Sequence, residues 1–166
     1  MNFKAILIIS NFFLFSCTSS DKINPNIDLN LIVPGRTAEG FNIGEQIKED
    51  SFTVYESREN NIAEILTLDY FSDLKFDSLI YKENESVLFL NKGIITAIAG
   101  LTIDKRITSD AVLLSRGVDN FILNYGNSGL SIMKRGEHSV YIYKDFGIAV
   151  FDDNNDNIID MYLIFK

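Results

Sequence analysis

Oxygen-bearing side chains crowd one stretch of this chain. Residues 151–160 read FDDNNDNIID, and the chemistry such a run could do is calcium binding, because calcium takes its ligands from carboxylates and amide carbonyls. Counted from Asp152 as position 1, Asn154, Asp156 and Asp160 fall on positions 3, 5 and 9 of a helix-loop-helix calcium loop. The frame then fails. Asn157 stands where the loop wants glycine, and Leu163, which cannot ligate, stands where it wants a bidentate glutamate. Ile159, Met161, Leu163 and Phe165 alternate as one face of a strand would, with Asp160 on the opposite face. The reading is a solvated hairpin turn, with weak calcium binding by Asp152, Asn154, Asp156 and Asp160 as its chemical alternative.

Other chemistry is sparse. His138 is the only histidine and Cys17 the only cysteine, so residues 31–166 offer His138 neither a cysteine nucleophile to activate nor a second imidazole with which to hold zinc. GNSGL at residues 126–130 places glycine directly after Ser128, whereas a nucleophile elbow needs it two residues on. VPGRTAEG at residues 33–40 lacks the lysine of a phosphate loop. Pairs among the 23 acids could serve a hydrolase, although abundance alone does not place two of them together. Tyr141 and Tyr143 share a strand face, which suits core packing or, alternatively, contact with a partner. No cofactor is expected.

The start of the chain concerns address. Lys4 precedes an apolar stretch over residues 5–15, too short for a membrane span of about 20 apolar residues and shaped like a signal peptide. Its end, LFSC at residues 14–17, resembles the lipobox of bacterial lipoproteins, with Phe15 bulkier than is usual there. The resemblance implies cleavage after residue 16 and lipidation of Cys17, a thiol with no disulfide partner in the chain. Several acyl chains would hold the protein to a membrane, since a single chain binds only marginally. Thr18, rather than an aspartate, implies the outer membrane. The formal charge of −8 and the absence of a basic stripe exclude nucleic acid as a natural partner.

Residues 17–30 then form a lipidated cysteine and a polar tether, and residues 31–166 suit one domain. That domain reads as two repeats, about 32–101 and 103–166. TAEGFNIGEQI at residues 37–47 parallels TSDAVLLSRGV at 108–118, and LIYKENESVLFLNKGIITAI at 79–98 parallels YIYKDFGIAVFDDNNDNIIDMY at 141–162. Residues 118–124 before Tyr125 and Gly126 suit a short helix closed by glycine, with residues 45–50 as the equivalent start in the first half. Residues 140–144, 147–151 and 158–165 suit strands.

The repeated run of threonine, acid, small residue, short helix, IYK and a glycine-apolar hairpin resembles the tandem module of β-lactamase-inhibitor-like proteins and the related small outer-membrane assembly lipoproteins. That resemblance implies a helix pair on an antiparallel sheet in each half, and a role in protein binding. The expected fold class is thus α+β: two tandem similar halves, each a short helical segment packed on an antiparallel β-sheet. The expected function is a lipid-anchored, non-catalytic envelope protein that binds another envelope protein. An envelope-polymer hydrolase using paired carboxylates and a calcium-stabilised structural module are the alternatives.

Overall fold

The structure, a computed structural model, describes residues 31–47, 71, 74–82, 86–102 and 106–166. The leader, Cys17 and the tether lie outside these residues. Three segments set the architecture: VLFLN in β5 (Val87–Asn91), IAVFD in β10 (Ile148–Asp152) and MYLIF in β11 (Met161–Phe165). Each carries large apolar residues at successive positions. Since neighbours along a strand point to opposite faces, such strands are stable only where both faces are covered.

They lie with β6 (Ile94–Leu101) at the centre of a seven-stranded antiparallel sheet, completed by β4 (Ser78–Tyr81), β8 (Leu130–Arg135) and β9 (His138–Tyr143). The order is β4-β5-β6-β11-β10-β9-β8. The chain thus lays down two meanders that meet at β6 and β11, where Leu163 faces Ala99 and Phe165 faces Ala97. Leu88, Ile98, Val150, Tyr162 and Ile164 fill one face, against Val118 and Phe121 of helix α1 (Val118–Tyr125). Phe89, Ala99, Phe151 and Leu163 fill the other, packed against Phe71, Leu74 and Phe76. Short pieces flank the sheet: β1 (Leu31–Ile32) runs parallel to β7 (Ile107–Thr108), and β2 (Thr37–Ala38) pairs with β3 (Phe41–Asn42).

The expected α+β architecture of two helix-on-sheet modules is overturned. The described chain is mostly β, with one α-helix among the described residues and a single sheet continuous through both halves. The physical reason is the two-sided burial of the central strands: β6 and β11 pair with each other instead of each ending a separate sheet. The start of a helix expected at residues 45–50 is also not formed as far as residue 47. Residues 45–47 run extended beside β6, with the Ile95 N–H donating to Glu45 C=O at 3.0 Å and the Ile47 N–H to Gly93 C=O at 2.8 Å. Residues 48–50 lie outside the described part.

In the second half the helix spans Val118–Tyr125 and ends at Gly126 with φ of 79°. The stripe expected on one face of the last strand is divided. Met161, Leu163 and Phe165 face Phe151, while Ile159 packs with Tyr162 and Ile164 on the helix side.

Candidate functional site

The acidic run joins β10 to β11, and the carboxylates of Asp152, Asp156 and Asp160 are directed at the loop's own backbone. Asp152, 2% exposed, accepts hydrogen bonds from the N–H groups of Asp156 and Asn157, both at 3.1 Å. Asp156 accepts from Ile158 N–H at 3.0 Å, and Asp160 from Asp153 N–H at 2.8 Å. Asn154 is exposed. Among the described residues no three His, Cys, Asp or Glu side chains are placed to hold a metal ion.

What this loop does in the fold is cap α1. Gly117 at the helix start has no side chain to accept an N–H, and Asn157 takes that place: its Oδ1 accepts from Asp119 N–H at 2.8 Å and its C=O from Val118 N–H at 3.1 Å. Sequence reading missed this because the capping residue lies far along the chain from the helix it caps. Asn157 does so with φ of 70°, a conformation that asparagine tolerates better than most residues.

His138 is exposed at the start of β9, its Nδ1 3.2 Å from Asp153 Oδ1. Ser128 is exposed in the loop after α1. Tyr141 is half-buried, and Tyr143 is 1% exposed, so Tyr143 belongs to the core and offers a partner no surface. Its ring packs among Phe121, Tyr125 and Phe146 at centroid distances of 5.4 to 6.1 Å, and its hydroxyl donates to Gly126 C=O at 2.6 Å.

Two further buried charges form a separate cluster. Arg106 meets Glu39 at 2.7 Å, with side chains 7% and 0% exposed, and the Tyr162 hydroxyl donates to the same carboxylate. Gly100 leaves room for it, since a Cβ there would come within 2.6 Å of the Tyr162 hydroxyl. Burial, and then the adjacent Glu39 carboxylate, push the Tyr162 phenol well above its ordinary range. This arrangement ties the β2–β3 turn, the segment before β7 and the central strand β11 together. The Glu39 carboxylate takes both the Arg106 guanidinium and the Tyr162 hydroxyl, and the three side chains are sealed from solvent.

Two surfaces could engage something outside the chain. One is a groove of about 500 Å3 between the segment after β3, the start of β6 and the end of β11. Ile43, Phe71, Leu74, Ile94 and Phe165 form its apolar lining, and Lys75, Lys144 and Lys166 its charged part. The other is the outer edge of β8, where Ser131, Ile132, Lys134 and Arg135 are exposed. Gly136 and Glu137 make a two-residue turn into β9, so the alternation of the antiparallel ladder turns the backbone groups of Ile132 and Lys134 outward. Neither surface was singled out by sequence reading. The lysines of the groove come from three separated stretches, and an edge strand carries no local signature of its position in the sheet. The chain matches no protein-family model, no curated protein and no solved structure.

Proposed function

We propose that this chain is a non-catalytic binding protein of the bacterial cell envelope, held at the outer membrane by lipid on Cys17, and that its partner is another envelope protein. The partner adds an extended strand to the outer edge of β8. The observation that carries this reading is the exposure of that edge in a sheet whose central strands are buried on both faces. With those faces covered, the edge is where main-chain hydrogen bonds are still on offer, and strand addition uses them for affinity and alternate side chains for specificity. Ile132, 49% exposed, supplies an apolar contact, and Lys134 and Arg135 favour a partner strand that bears carboxylates. The acidic loop adds to the case against a hydrolase, because Asp152, Asp156 and Asp160 accept backbone N–H groups and Asp153 faces His138 rather than all converging on a cleft.

The test is crosslinking and pulldown of the lipidated protein from intact cells, comparing the parent with Ile132→Pro. Proline removes an outward N–H without touching the β9 ladder. Specific recovery by the parent and its loss in the variant, with the circular dichroism spectrum preserved, supports the reading. Recovery of nothing specific, or equal recovery by both, defeats it.

A further inference from the structure

The groove beside β11 has a charge character opposite to that of the molecule. The chain has 15 basic and 23 acidic residues, yet among the described residues three lysines and no acid line this groove. Those lysines arrive from the segment before β4, from the turn after β9 and from the end of β11, so the fold itself brings them together. Between them the surface is apolar. Phe71 and Phe165 pack with their rings tilted at 59° and centroids 5.3 Å apart, and Ile94 stays 40% exposed at the start of a strand whose next residue, Ile95, is 1% exposed.

A concave, mostly apolar site with a few polar groups of one sign suits a small ligand that has the same division. We propose that this groove holds a single acyl chain with an anionic headgroup, a long-chain fatty carboxylate, its tail over Ile43, Phe71, Ile94 and Phe165 and its carboxylate among the lysines. The tail supplies the affinity through buried methylenes, and the ammonium groups select the head as compact point charges. A volume of about 500 Å3 suits one chain rather than a two-chain lipid with its headgroup. The site is separate from the β8 edge, so each reading stands or falls alone.

The experiment uses the full chain carrying Cys17→Ser, which removes the attachment point of any lipid of its own. Decanoate, dodecanoate and tetradecanoate, each kept below its micellar concentration, displace a fluorescent fatty acid. Each two-carbon extension is expected to tighten binding by about 15-fold. Ile94→Asp, at a half-exposed position that spares the fold, weakens dodecanoate by about tenfold or more by placing a carboxylate in the tail's path. Lys75→Glu with Lys166→Glu weakens dodecanoate and strengthens dodecyltrimethylammonium, reversing the preference for the head. Absence of displacement, affinity indifferent to chain length, or variants that bind dodecanoate as the parent does would each overturn the proposal.

Discussion

Glu39 and Arg106 show what a buried charge demands of its neighbours. Removing one partner leaves an uncompensated charge, so Arg106→Met is expected to lower stability by about 3–5 kcal/mol. The double variant Glu39→Gln with Arg106→Met recovers much of that loss, as urea unfolding of the three proteins will show. Tyr162 makes the same cluster sensitive to alkali. Its phenol is held neutral in the fold by burial and by Glu39, whereas an unfolded tyrosine ionises near 10. The unfolded state therefore loses a proton that the folded state keeps. The contribution is intact below about pH 10 and falls as pH rises, by at most about 1.4 kcal/mol per pH unit for one tyrosine. Tyr162→Phe removes that part of the slope in unfolding measured from pH 9 to 11. Asp160 acts at the other end of the scale. Burial lifts its carboxyl above the ordinary range, Asp153 N–H pulls it down, and Asp153, Asp156 and Asp152 add to the rise. With the folded value raised, its favourable contribution is complete below about pH 4 and is lost as pH rises. Asp160→Asn keeps an oxygen for Asp153 N–H, so the variant is expected to melt above the parent at pH 7 and level with it at pH 3.5.

At the scale of elements, the β10–β11 loop is a helix cap delivered from a distance. Asn157→Ala removes the side-chain acceptor and places alanine at φ of 70°, so a loss of about 1–2 kcal/mol is expected by chemical denaturation. Asn157→Gly keeps the conformation and the C=O bond to Val118 N–H, and loses less. A second junction depends on absent side chains. Gly147, at φ of 68°, sits where a Cβ would overlap Phe165 C=O and come within 2.7 Å of Gly35 Cα. Gly147→Ala is therefore expected to be more damaging than Gly126→Ala, because Gly126 has the same backbone sign and open space around it. Thermal melts of the two variants compare crowding with backbone strain alone. Of these features, the helix over residues 118–124 and its glycine end were legible from local pattern. The cap and the Gly35–Gly147 approach were not, because each joins residues far apart in the chain.

For the molecule as a whole, the seam between β6 and β11 decides the architecture. Five residue pairs register across it, and separating the strands would expose apolar side chains on both faces of each. Fragments 1–104 and 105–166 are accordingly expected to be unfolded apart and to form a one-to-one complex when refolded together, as circular dichroism and size-exclusion chromatography would report. Independent folding of either fragment would contradict that expectation. The halves also share a detail: Gly93 C=O accepts Ile47 N–H as Asn157 C=O accepts Val118 N–H, with φ of 75° and 70° at the two acceptors. Such paired contacts support the proposal of two repeats. Taken alone, the chain's residue order determined the apolar strands, the turns between them, the second-half helix and the acidity, because these depend on neighbours within a few positions. It left open whether β6 and β11 would each border a module or face one another, and which acids would be buried beside an arginine. Those outcomes depend on pairing between distant segments, and only the folded chain, by covering both faces of its central strands, decided them.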